Sequence, residues 1–181
     1  MTVEIARDTP EAVAAVLQER ARKLASEQQD GRTGETIEIL VFQLAWESYA
    51  VETGFVREVY PLKDLTPVPC TPAFVLGIVN LRGELCPVIE LKRLFGLPPS
   101  GVTNATSAIV LQDGTMEFGL LADVILGVQM LRLDELREPP ATFSGIHASF
   151  LKGITGERMA VLDARTILGH PRLVVNEQVG E

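Results

Sequence analysis

The stretch VLGIVNLRGELCPVIELKRLFG, Val75 to Gly96, decides how the rest of the chain is read. Apolar residues fill nearly every position from Val75 to Val79. Asn80-Leu81-Arg82-Gly83 then brings two polar side chains, and a second apolar run extends from Leu85 to Leu91. An unpaired charge between two buried strands is very costly, so Arg82 must be either paired or displayed on purpose. The segment reads as two strands joined at Arg82-Gly83, forming either a surface turn or a recognition site held rigid by a barrel beneath it. Residues 90–95 read as a short helix that stops at Gly96, with Pro98 and Pro99 just beyond.

Outward from this stretch the punctuation is that of an all-β protein. Four prolines between Pro61 and Pro72 allow only edge strands and turns there. Residues 55–60 (FVREVY) read as a strand, with Val56 and Glu58 on one side if it is extended. Residues 36–45 (TIEILVFQLA) form a strand that turns at Trp46-Glu47 and returns over 48–52. On the other side, 99–107 is a loop. Residues 108–112 and 116–121 then pair across Asp113-Gly114, a hairpin signal. A strand at 124–133, a Pro-bearing loop at 137–145, and strands at 150–154 and 159–162 around Gly156 complete the order.

This order repeats. Tyr49-Ala50-Val51 and the strand from Phe55 parallel Phe118-Gly119-Leu120 and the strand from Val124, at an offset of 69. Val88-Ile89-Glu90 with Gly96 parallels Val161-Leu162-Asp163 with Gly169, at an offset of 73, and Leu76-Gly77-Ile78 matches Lys152-Gly153-Ile154. Two small five-stranded barrels sharing a hydrophobic interface, each half closed by a short helix, is the economical architecture, because closure removes exposed strand edges. Phe55, Val56, Val59, Leu76, Ile78, Val124, Ile125 and Val128 make both faces of some strands apolar, and most of them are expected at the contact between the barrels. Any apolar groove left over, rimmed by Glu58 and Arg82, would be a protein-docking surface.

Before the β domain, residues 9–27 read as a helix. Thr9 caps it, Pro10 takes the first helical position, and Val13, Val16, Leu17, Ala21 and Leu24 form one apolar face. That face docks either on the chain's own core or on a partner. Residues 26–36 carry two glycines and no large apolar residue, so they read as a linker. The domain organisation is therefore 1–34 as N-terminal helix and linker, 35–172 as the β domain, and 173–181 as a C-terminal tail.

The chain has 181 residues and a net charge of −8, which disfavours nucleic acid and anionic membrane as main partners. No apolar run reaches the roughly 18 residues that span a bilayer, and no secretory signal is visible, so the cytoplasm is expected. Cys70 and Cys86, with His147 and His170, do not make a metal-ligand cluster. Both cysteines are expected to pack as small reduced hydrophobes, and both histidines to face solvent. Asp134 and Glu135 read as a solvated loop rather than an acid/base pair. No phosphate-cradling loop, dinucleotide fingerprint or nucleophile elbow is present. The expectation is a protein without catalytic residues, metal or cofactor.

Several of these segments resemble the CheW family of bacterial chemotaxis coupling proteins. The family signature is a Gly-x-x-Asn-Leu-Arg-Gly core, then an apolar-Pro-apolar strand and an acidic residue. Gly77-Ile78-Val79-Asn80-Leu81-Arg82-Gly83 meets the core, and Cys86-Pro87-Val88 with Glu90 meets the remainder. Tyr49-Ala50-Val51 and Val56-Arg57-Glu58-Val59 match the family's first hairpin and next strand, and the likeness runs from about Glu38 to Gly169. It implies SH3-like barrels and a non-enzymatic adaptor. It also implies two partners: the regulatory domain of the chemotaxis histidine kinase, and the cytoplasmic tip of chemoreceptors in arrays at the inner face of the membrane. By motif match Val56, Glu58, Gly77, Asn80 and Arg82 fall where partner-contact and supporting residues lie, with a Glu58–Arg82 ion pair at the groove edge. Val124, Ile125 and Val128 match the strand expected to line the receptor groove. Two departures stand out: the helix at 9–27, and Ala45-Trp46 in place of a Gly-containing turn, which makes the first hairpin tip bulkier. The alternatives are the same module serving another kinase pathway, in surface motility or gene regulation, or a small β-barrel that binds a ligand in its interior.

Overall fold

The computed structural model describes residues 34–44, 46–96, 106–141 and 145–173; the helix expected at 9–27 falls outside them. The chain parts between Gly34 and Glu35 into two units, and the second holds the β domain. In that unit β1 (Thr36–Leu44) and β2 (Glu47–Glu52) form a hairpin, followed by β3 (Val56–Pro61), β4 (Val75–Leu81) and β5 (Glu84–Ile89). A one-turn helix α1 (Leu91–Leu94) closes this half. The second half repeats the order with β6 (Ser107–Gln112), β7 (Glu117–Ala122), β8 (Val124–Arg132), α2 (Ile146–Ser149), β9 (Leu151–Ile154), β10 (Ala160–Leu162) and α3 (Ala164–Leu168).

The ten strands form two five-stranded sheets, ordered β8-β1-β2-β10-β9 and β3-β6-β7-β5-β4. Each hairpin therefore pairs with strands from the other half of the sequence, so the sheets are exchanged between the repeats. The pairing itself obeys the repeat. Ala50 and Val51 lie parallel to Val161 and Leu162, while Gly119 and Leu120 lie parallel to Val88 and Ile89. These pairs are related by the two offsets read from the sequence.

The hairpin strands are buried on both faces, which explains why β1 and β6 read as apolar runs rather than as alternation. Leu40, Phe42, Leu44, Ile109, Leu111, Phe118 and Leu120 face a large core shared by both sheets. The intervening residues fill two smaller cores, one per sheet: Ile39, Val41 and Ala50 in the first, Ala108, Val110 and Leu121 in the second.

Each sheet also curls until the chain beyond one edge strand meets the opposite edge. Thr66, downstream of β3, exchanges two 2.9 Å backbone hydrogen bonds with Ile78 of β4, and Arg137, downstream of β8, does the same with Ile154 of β9. A Cβ at Gly77 would stand 2.4 Å from the Thr66 carbonyl oxygen, and one at Gly153 would stand 3.0 Å from that of Arg137. The recurring Gly-Ile dipeptide is thus the place where each bridge crosses.

Several expectations change. The register slips between Val56 and Glu58, a bulge that pairs Val56 with Leu111 and Glu58 with Val110. Val56 accordingly faces the shared core while Glu58 projects from the other face. Of the eight apolar residues expected at the contact between the sheets, Val59, Val124 and Val128 are exposed. Leu76 packs against the small core of its own sheet, while Phe55, Val56 and Ile125 do pack on the shared core. Cys70 is exposed on a left-handed turn, whereas Cys86 is buried and its thiol is pushed up to about 11, chiefly by burial. His147 is buried rather than solvent-facing, because α2 stacks its ring on Phe95 with centroids 4.2 Å apart. Trp46, 90% exposed, forms the bulky tip of the first hairpin.

Candidate functional site

The β4–β5 hairpin turns in two residues. Leu81 pairs with Glu84, and both Arg82 (φ 53°) and Gly83 (φ 97°) have positive φ, the geometry of a type I′ turn. Glycine adopts that backbone freely, but arginine does so at a cost of order 1 kcal/mol or more. Asn80 offsets part of this, since its Oδ1 accepts a 2.7 Å hydrogen bond from the Gly83 N–H. The turn therefore holds Arg82 out from the sheet, with its side chain 79% exposed. There Nη2 lies 3.2 Å from Glu58 Oε2, across from β3.

Behind this pair sits a second arginine that sequence reasoning missed. Arg57 Nη1 lies 2.6 Å from Glu117 Oε2 at the start of β7 and 3.1 Å from Glu84 Oε2, with Nε 3.8 Å from Glu58 Oε1. The bond to Glu117 is the leading reason its guanidinium holds its proton even more firmly than usual. Two cations and three carboxylates from β3, the β4–β5 turn and β7 thus form one network at this end of the sheet. Arg57 ties the base together, and Arg82 is the member most open to a partner. Leu85, 68% exposed, comes directly after the turn and supplies an apolar neighbour. The only local signal for Arg57 was its place beside Glu58; Glu117 lies 60 residues away and is brought in by the exchanged sheet.

The other predicted residues lie elsewhere. Gly77 is buried on β4 at the bridge to Thr66, and Val56 is half-buried against the shared core, so both support the network's strands rather than join it. Val124, Ile125 and Val128 are on β8 of the other sheet. A bulge at Leu126 divides them: Val124 pairs with Gln43, Ile125 with Phe42 and Val128 with Leu40. Ile125 and Val128 therefore share the face of β1 that points to the common core, and Val124 lies on the opposite face. Met130, opposite Glu38, extends the face of Val128 and is 62% exposed against 57% for Val128. Val128 and Met130 thus place two exposed apolar side chains side by side on one face of β8. Among the described residues no group of three or more His, Cys, Asp or Glu could hold a metal ion, and no helix is long and apolar enough to cross a membrane.

The chain belongs to the family of CheW-like domains, which matches residues 38–172. It is 30% identical over 132 residues to the chemotaxis protein CheW of Treponema pallidum, covering 71% of this chain and 78% of that protein. It is 29% identical over 153 residues to CheW of Klebsiella aerogenes, covering 82% and 92%. Among solved structures, the scaffolding protein TtCheW of Thermoanaerobacter tengcongensis superposes with a TM-score of 0.62 at 30% identity, covering 71% of this chain and 90% of the other.

Proposed function

We propose that this protein is a non-catalytic adaptor that couples chemoreceptors to a chemotaxis histidine kinase. Arg82 carries the reading: an arginine placed on a left-handed turn, 79% exposed and aligned by Glu58, is displayed for an acidic or polar partner surface. The two surfaces lie on different sheets, as a bridging protein needs. The charged tip of β3, β4 and β5 would take the kinase regulatory domain, and the Ile125–Val128–Met130 face of β8 would take the receptor tip. Coupling then works by population shift: the receptor state changes how the kinase is held, and the adaptor needs only to bind the two states differently. Recruitment to the inner face of the membrane would result from receptor binding.

The test is capture of histidine kinases and receptors by the purified full chain, repeated with Arg82→Ala. Specific capture of a kinase that weakens in the folded variant supports the adaptor reading and names the pathway. Failure of the intact chain to retain any kinase or receptor would overturn it.

A further inference from the structure

The carboxylates at the charged tip divide unequally between its two arginines. Glu84 stands two residues beyond Arg82 in the same turn. It nevertheless bonds Arg57, whose Nη1 donates to Glu84 Oε2 at 3.1 Å and to Glu117 Oε2 at 2.6 Å. Among the described residues Arg82 pairs with Glu58 alone, at 3.2 Å. The more exposed guanidinium therefore has one carboxylate partner, and the less exposed one has three. The bulge in β3 makes this possible. The slip between Val56 and Glu58 leaves Arg57 as the extra residue. Arg57 and Glu58 can then join one network, although neighbours on a regular strand point to opposite faces. Glu117, at the start of β7, anchors Arg57 from the other side. Two carboxylates bonded to one nitrogen repel each other, and the cation between them holds both in place.

We propose that Arg57 is a positioning residue for Arg82: anchored on Glu117, it ties Glu84 back and so keeps that carboxylate off the displayed guanidinium. Without Arg57, Glu84 turns to Arg82 and closes the hairpin tip on itself. An anionic group of a partner must then displace Glu84 before it can reach Arg82. The inference rests on the adaptor reading for what Arg82 meets, but not for how Arg82 is held.

The test uses the full chain, Arg57→Gln, and the double variant Arg57→Gln, Glu84→Gln, each labelled with ¹⁵N-arginine. The Arg82 Nε–Hε resonance, assigned by its loss in Arg82→Ala, reports how that side chain is held without any partner present. In Arg57→Gln it is expected to shift and to become markedly less mobile by its heteronuclear NOE, and in the double variant to return toward its original state. Binding of the kinase regulatory domain to the same proteins should weaken about tenfold in Arg57→Gln and recover in the double variant. In an Arg82→Ala background, Arg57→Gln should weaken it no further, a result that a merely structural role would not give. Should Arg57→Gln fail to fold, Arg57→Lys takes its place, with a smaller change in the same direction expected. An unchanged Arg82 resonance on loss of the Arg57 guanidinium would overturn the proposal. So would a change that persists when Glu84 is also neutral, or a binding loss that is undiminished in the Arg82→Ala background. Failure of the intact chain to bind the kinase domain would overturn the adaptor reading, and the NMR comparison would still decide this one.

Discussion

Arg82 and Gly77 sit five residues apart in the same motif and do different work. Arg82→Ala removes an exposed ion pair and leaves a Cβ at the same left-handed position, so stability should change by no more than about 1 kcal/mol, while kinase capture falls. Gly77→Ala drives a Cβ into the Thr66 carbonyl at 2.4 Å and should destabilise by about 1–3 kcal/mol. Gly153→Ala, with 3.0 Å available, should cost less. Urea midpoints of the three variants check this order. His147 supplies a pH test. Burial holds its pKa below the ordinary value near 6.5, against a smaller opposing pull from Glu47. The unfolded chain then binds the proton more readily than the fold, so stability should fall as pH drops below about 6.5. His147→Phe should flatten that slope on the acid side of about pH 6.5, as read from denaturation midpoints.

At the scale of elements, the bulges decide which residues share a surface. Val124 and Val128 are both exposed valines on β8, but the bulge at Leu126 puts them on opposite faces. Val128→Asp should therefore abolish receptor-tip binding with little loss of stability, whereas Val124→Asp should leave binding largely intact; titration calorimetry of each folded variant distinguishes them. The strands themselves are legible in the sequence, because turn residues at Arg82-Gly83 and Asp113-Gly114 and the repeated Gly-Ile dipeptides punctuate them. The Glu58–Arg82 pair is legible through the family motif. What strand alternation cannot reveal is a one-residue slip, so it sets Val56 and Glu58 on one side and groups Val124 with Val128. The Arg57 network is out of reach for another reason: it joins β3 to β7, and local pattern carries no information about a contact made through exchange. His147 reads as solvent-facing because the ring that buries it, Phe95, lies in the other half of the chain.

For the whole molecule, exchange makes the two repeats one cooperative unit. Each hairpin is buried on both faces only when the other half supplies its neighbours. Chains covering 35–100 and 101–181 should each be unfolded alone and regain β structure when mixed, whereas the intact domain should melt in a single transition; circular dichroism follows both. The same architecture places the Arg82 tip on one sheet and the Val128 face on the other, so one small domain offers two separate surfaces. That separation is the centre of the adaptor account. It is tested most directly by immobilising the receptor cytoplasmic tip and measuring retention of the kinase regulatory domain. The account predicts retention only when this chain is present, lost with Arg82→Ala although the chain itself still binds the receptor, and lost with Val128→Asp because the chain no longer does. A chain that binds the receptor tip yet retains no kinase, or a single surface whose loss removes both partners together, would contradict it.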